Sequence, residues 1–374
     1  MSDDWVKVTL DKLPDYLEAG PVMAQMNPLS LAFLPLERLK LRVFESTAAL
    51  VATLDNPQSE CGSDAMLALD YDPEYSDRLI SLKVNHQPLT THLNQHLKGR
   101  WELVRSRLLC QSHLPEFIAG EASAECIILI LVDGLSWADF SAYWRNGEVQ
   151  AQPVLVDGAS TTEQGMKRIV GKPAIAERLL SKGYDRTYGF SYWTRDDNAL
   201  TNHLFDRFST NVDKVRSFQN VLKQLEKLDL TGAYIQIVRQ GLDGLCHKHR
   251  DRPNPEHYVH DLVQDWYALL KLLGEKGISA QVFLTSDHGI LWKEGHTDFR
   301  VQFPGKHTDP PRYFKQPYPS PQTLEIPFEG MTYSLLAYPY LRRNFNVNEW
   351  GVHGGLSFEE SVVPLLTTSI NHHN

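Results

Sequence analysis

Beyond residue 125, short unbroken runs of apolar residues alternate with longer amphipathic stretches. CIILILV (126–132) is rich in β-branched side chains and is stopped by Asp133-Gly134. A run with no polar alternation predicts a strand covered on both faces, as in the middle of a parallel sheet. QPVLV (152–156), AYIQIV (233–238) and AQVFLTS (280–286) repeat the pattern, and SVVPLLTTSI (361–370) predicts a last strand. VDKVRSFQNVLKQLEKL (212–228) and EHYVHDLVQDWYALLKLLGEKG (256–277) carry apolar residues at three- and four-residue spacing and predict helices. Strands alternating with helices give an α/β fold, a mostly parallel sheet sandwiched by helices.

The earlier part of the chain has a different texture. LAFLPLERLKLRVFESTAALVATL (31–54) and LTTHLNQHLKGRWELVRSRLL (89–109) fit amphipathic helices, separated by a polar stretch at 55–77 rich in Asp, Ser and Pro. QSHLPEFIAGEASAE (111–125) reads as a linker. The expected organisation is a helical accessory domain over 1–118 and an α/β domain over 119–374, consistent with a length of 374 residues. Two aromatic and polar stretches, 188–205 and 303–322, read as insertions that cover a site.

Composition narrows the class. With 42% hydrophobic and 22% charged residues the chain reads as soluble and globular, and a formal charge of -9 gives no bulk attraction for nucleic acid. The four cysteines lack CxxC spacing, which excludes a disulfide framework or a cysteine zinc knuckle, and Cys126 reads as a buried small hydrophobe. The first twenty residues have neither a basic nor an apolar signal region, and no run reaches the roughly 18 apolar residues of a membrane span. A cytoplasmic protein is expected.

In an open α/β sheet, ligands bind beyond the carboxyl ends of the strands. Asp133 follows the first apolar run; Asp243 and His247 follow the third; Asp287 and His288 follow the fourth. The second leads into DGASTTEQG, a hydroxyl cluster opening a helix, and His353 precedes the last strand. Carboxylates with imidazoles suit zinc or manganese, and this number of donors is right for two divalent ions. Asp287-His288 is the sole Asp-His pair of the sequence and Asp243–His247 the sole Asp-x-x-x-His, and both fall where the fold places ligands. Ser160-x-x-Glu163 reads as a capping box, which leaves Thr162 in the first helical turn with Thr161 as the alternative nucleophile. His249 reads as a solvated neighbour; His296, Lys306, His307 and Arg312 read as a solvated loop, with a grip on substrate phosphate as the alternative. GMKRIVGKP (165–173) fails as a phosphate-binding loop, because five residues separate its glycines and Pro173 stands where Ser or Thr is required. CHKH (246–249) lacks a second ligand pair for a zinc knuckle, and no GxSxG elbow is present.

The order ILVDGLSW, a hydroxyl before a helix, DxxxH, SDHG and HGGLSFEESVVPLL resembles the alkaline phosphatase superfamily, and within it the PglZ-type domains, over roughly 120–370. The resemblance implies that Asp243, His247 and His353 hold one ion and that Asp133, Asp287 and His288 hold the other with Thr162. Ser160-x-Thr162-x-x-Gly165 matches the nucleophile motif. It further implies zinc, with manganese as second choice, and a phosphodiesterase acting on nucleotides or nucleic acid through a covalent phospho-threonine. Such domains are associated with antiphage systems of the BREX type, so protein partners of a defence complex are expected through the amino-terminal region. The alternatives are a phosphomonoesterase and a metal-binding interaction module with little turnover.

Overall fold

The computed structural model describes residues 97–144, 149–192, 213–247, 253–293, 299–303 and 305–371. It also describes strands Met23–Gln25, Leu41–Phe44, Ala65–Ala68 and Ser81–Lys83, and the single positions Ala49, Ala52, Asn94 and Phe205. The chain divides into two units, Met1–Arg107 and Leu108–Asn374.

In the first unit the four strands form a parallel sheet, Leu41–Phe44 beside Ala65–Ala68, then Met23–Gln25, then Ser81–Lys83. The helix expected within 89–109 is present as Trp101–Arg107, with Trp101 and Val104 buried. The helix expected over 31–54 is corrected, because its centre is a strand. Leu39, Leu41 and Val43 alternate with Lys40 and Arg42, and this period of two prevails over the three-and-four spacing around it.

The second unit is built on a sheet of β1 (Leu109–Cys110), β2 (Cys126–Val132), β3 (Gln150–Leu155), β4 (Arg186–Tyr192), β5 (Asp213–Lys214), β6 (Ala233–Arg239), β7 (Ala280–Ser286) and β8 (Val362–Ile370). Their order is β1-β3-β8-β7-β2-β6-β4-β5, and every pairing is parallel except the two made by β8. Every residue of β2 is buried because both faces are covered. Ile128, Ile130 and Val132 pack into a core shared with the helices Trp137–Tyr143, Phe218–Lys227 and Pro255–Glu275. Ile127, Leu129 and Leu131 meet Leu114–Glu121, Thr162–Val170 and Ile175–Leu180 on the opposite face. Double coverage is the physical cause of the unbroken apolar run.

Register positions the site. Val132 lies level with Arg239 of β6 on one side and Ser286 of β7 on the other. The three central strands therefore end along one edge, and Asp133 and Asp287 leave it as neighbours.

Three other expectations change. Residues 111–125 are no linker: a 3-10 turn, Gln111–His113, leads into the helix Leu114–Glu121, whose Leu114 and Ile118 are buried. Pro115 favours a helix start, and apolar side chains one turn apart give that helix a packing face. The stretch 188–205 is no simple insertion, since Tyr188–Tyr192 completes β4 and pairs with β6; residues 193–204 lie outside the described residues. Within 303–322, Tyr313–Phe314 joins Thr323–Phe328 and Met331–Leu336 in a three-stranded antiparallel sheet. Cys126 is fully buried, and burial pushes its thiol up to about 12. Among the described residues no helix is long and apolar enough to cross a membrane.

Candidate metal centre

The turn after β7 presents Asp287 with its two carboxyl oxygens in different surroundings. Oδ1 accepts hydrogen bonds from the main-chain N–H of Gly134 and of His288, both at 2.9 Å. Ser286 Oγ accepts from Leu135 N at 2.7 Å and donates toward Val132 O at 3.0 Å, binding the ends of β7 and β2 together. Gly134 makes this approach possible by adopting φ 81, a conformation open to glycine. Asp287 Oδ2 is buried with no hydrogen-bond partner. A buried carboxylate oxygen without a donor carries a large desolvation penalty, which a cation would remove.

The three histidines are held so that Nε2 of each meets the acidic groups. His288 Nδ1 donates to Gly289 O at 3.0 Å and His353 Nδ1 donates to Ser160 O at 2.9 Å. Carbonyl acceptors on the far nitrogen fix ring orientation and tautomer, the usual support of a metal-ligating imidazole. Asp243 opens the helical turn Asp243–His247, and the spacing of four brings His247 over it. Asp243 Oδ1 lies 3.0 Å from His247 Nε2 and 3.0 Å from His353 Nε2, and the two nitrogens are 3.1 Å apart. Donors about 2.1 Å from a tetrahedral zinc stand roughly 3.4 Å from one another, so this triangle is close to ligand size. His288 Nε2 is 3.6 Å from Asp287 Oδ2 and 3.9 Å from Asp133 Oδ1, a slightly wider set. The His288 and His353 rings stack at 4.2 Å, which joins the two sets. Asp133, Asp287 and His288 form one group whose ligand atoms lie within 4.8 Å of one another; Asp243, His288 and His353 form a second, and Asp243, Cys246 and His247 a third.

The electrostatics of the cluster favour added positive charge. Burial, with the Asp243 charge nearby, raises the Asp287 carboxyl to about 7 against the pull of its two backbone N–H donors. Burial works the same way on Asp243, but His353, His247 and His288 around it hold it well below the ordinary carboxylate range. His247 is pushed up to about 12: burial opposes the charge, and its bonds to Asp243, Cys246 and Glu349 outweigh that. A proton on His247 thus balances the neighbouring carboxylates, and a divalent cation would displace it. Burial pushes the Cys246 thiol up to about 12, which makes it a weak ligand beside Asp243 and His247.

Thr162 is the first residue of the helix Thr162–Val170 and is buried. Its Oγ1 is 3.3 Å from Asp133 Oδ1, to which it donates, and 3.2 Å from His288 Nε2. The expected Ser160–Glu163 capping box is corrected. Thr161 is the N-cap and accepts from Gln164 N, while Ser160 Oγ donates to Gly355 O and accepts from Gly354 N. Ser160 is engaged across the site, holding the loop that carries His353, and Thr161 is engaged as the cap. Gly165 brings the helix down onto the turn after β7, since a Cβ there would lie 2.1 Å from Asp287 O. Gly165→Ala is expected to push the helix off and to destabilise the fold by about 1–3 kcal/mol. Thermal unfolding and turnover check this; a variant as stable and active as the parent would contradict the close approach.

No protein-family model and no curated protein matches the chain. Among solved structures it is similar to murine ectonucleotide pyrophosphatase/phosphodiesterase 5, an inactive form in complex with AMP, at 13% identity and TM-score 0.42, covering 65% of this chain and 87% of that one. It is also similar to the C-terminal periplasmic domain of phosphoethanolamine transferase EptC from Campylobacter jejuni, at 13% identity and TM-score 0.36, with 66% and 80% covered. A TAB5 alkaline phosphatase mutant with Mg bound is similar at 10% identity and TM-score 0.31, with 66% and 91% covered.

All seven residues singled out from the sequence, Asp133, Thr162, Asp243, His247, Asp287, His288 and His353, meet in this one cluster. Arg312 does not: it is fully buried and paired with Glu360 at 2.7 Å, so it neither grips substrate nor lies in a solvated loop. Lys306 and His307 are exposed, and His249 and His296 lie outside the described residues. Two supporting acids were missed. Glu360 accepts from Gly355 N at 2.9 Å and so ties Arg312 to the His353 loop; its place in the HGGLSFEES tail was the available signal. Glu349, clasped by Arg343, stands 3.8 Å from His247 Nδ1, and nothing in the local sequence marks it.

Proposed function

We propose that this protein is a two-metal hydrolase of phosphate esters, with Thr162 as nucleophile. The observation that carries the reading is the Thr162 hydroxyl at a helix N-terminus, 3.3 Å from Asp133 Oδ1 and 3.2 Å from His288 Nε2. Asp243, His247 and His353 would hold one ion, and Asp133, Asp287 and His288 the other; the unpartnered Asp287 Oδ2 supports this donor set. Bound there, two divalent cations supply Lewis acidity and charge for the phosphoryl oxygens.

The residues of the chain supply the rest. Thr162 passes its proton toward Asp133, and its oxygen attacks phosphorus opposite the leaving oxygen. The bond to the leaving alcohol breaks, and the departing oxygen is protonated by water. Water then attacks the phospho-threonine, releasing the product phosphate and restoring the hydroxyl. The positive end of the helix Thr162–Val170 favours the anionic group throughout.

A diester is the favoured substrate. A monoester brings an extra negative charge that an available cation should meet, but among the described residues the buried arginines Arg168, Arg239, Arg312 and Arg343 are each paired with a carboxylate. A diester instead needs an aromatic or apolar rest for its second substituent. The Tyr313 ring lies against Gly354, and Thr161, beside the nucleophile, flanks the same glycine. The finer reading is a PglZ-type cytoplasmic enzyme that uses zinc, or manganese, on nucleotides or nucleic acid, with defence-system partners recruited through residues 1–118. The sequence motifs support it.

Protein reconstituted with zinc or with manganese, offered bis-p-nitrophenyl phosphate and p-nitrophenyl phosphate, tests the proposal. Faster diester hydrolysis is expected. Preference for the monoester would make it a phosphomonoesterase, and hydrolysis of neither with two ions bound would make it a metal-binding module.

A further inference from the structure

The segment Leu109–Pro115 braces both halves of the centre. Leu109 and Cys110 pair with Val154 and Leu155 of β3, the strand whose exit leads to Thr162. Ser112 donates through N and Oγ to Asp157 on that exit. The Pro115 ring occupies the space a side chain at Gly171 would need, just past the nucleophile helix. Between these contacts Gln111 is wholly buried, and its Nε2 donates to two successive carbonyls, Ser286 O and Asp287 O, each at 2.8 Å.

These carbonyls lie where β7 runs out of the sheet. A buried carbonyl without a donor is strongly disfavoured, so loss of the amide would let the strand end rotate toward another partner. That rotation would carry Asp287 Oδ2 with it, away from His288 and Asp133. Ligating groups must be held to within about 0.5 Å of their working geometry. We propose that Gln111 is a positioning residue of the metal centre, fixing the main chain of Asp287 against the nucleophile loop. The proposal rests on the metal-hydrolase reading above.

Gln281, at the opposite end of β7, provides a matched control. It is also mostly buried, and its Oε1 accepts from Ser123 N at 2.8 Å and Ala124 N at 3.3 Å. Gln111→Met removes a buried amide bonded to the far end of β7 from outside the strand, and Gln281→Met one carried by its near end, each keeping the side-chain bulk. In the full chain, calorimetric zinc titration of Gln111→Met should show one of two ions bound about tenfold or more weakly, the usual effect of losing an outer hydrogen-bond partner. Gln281→Met should lower the melting temperature and leave both ions in place. Should Gln111→Met fail to fold, Gln111→His, which keeps one donor, takes its place and should show a smaller loss of zinc affinity. Equal zinc affinity in the Gln111 and Gln281 variants, with two ions on the parent, would overturn the Gln111 role alone. A parent protein that binds neither zinc nor manganese would remove both this role and the hydrolase reading.

Discussion

Thr162→Ala is expected to reduce diester turnover roughly a thousandfold or more, equivalent to about 4 kcal/mol in the barrier, with both metal ions retained. The substitution removes the attacking oxygen and no ligand carboxylate or imidazole. Asp133 and His288 keep their other neighbours, so elemental analysis should still return two ions. Thr162→Ser keeps the oxygen and should recover much of the rate. Thr161→Ala is the informative companion, because Thr161 caps the helix through Gln164 N. Loss of a cap costs about 1 kcal/mol of stability, with turnover nearly unchanged. Full activity in Thr162→Ala would move the nucleophile elsewhere, and a collapse in Thr161→Ala alone would exchange their roles.

Asp287→Asn should have the second largest effect, and its sign reverses with metal. The asparagine carbonyl can still accept from Gly134 N and His288 N, as Asp287 Oδ1 does. In place of Oδ2 it offers an amide that cannot ligate, so one ion and most of the turnover should be lost. Without metal the outcome is different. Burial raises the folded carboxyl from 3.8 to about 7, so the folded state prefers the protonated acid. That contribution to stability is complete below the unfolded value and is lost as pH rises through about 7. Metal-free Asp287→Asn should therefore melt above the metal-free parent at pH 8 and close to it at pH 4. With zinc present the order inverts, because only the parent gains ligation energy. Thermal melts at both pH values, with and without chelator, decide it. A parent that is more stable than the variant at pH 8 in chelator would refute the electrostatic account of this carboxyl.

The pattern of the chain made the sheet legible where coverage was symmetrical. Cys126–Val132 and Ala280–Ser286 are buried on both faces, so nearly every residue had to be apolar or small, Gln281 with its bonded amide being the exception, and the strand limits appeared in the sequence. The candidate site followed from the limits, because a donor immediately after such a strand emerges at its carboxyl edge. The pattern failed where local signals conflicted. Leu41–Phe44 alternates within a longer helical rhythm, and Ser160 and Thr161 offer two adjacent caps, of which the structure uses the second. It also failed for Gln111, whose partners Ser286 and Asp287 lie 175 and 176 residues away.

The kinds of donors, and the strand ends that carry them, are written in the order of residues, since burial of apolar runs is a local requirement met position by position. How each donor is employed emerges only in the folded chain: Asp287 gives one oxygen to the main chain and leaves the other bare, and Ser160 supports His353 while Thr162 faces Asp133. Those outcomes depend on hydrogen bonds between segments distant along the chain. Each bond exists because a buried polar group must find a partner, and which partner it finds is fixed by packing.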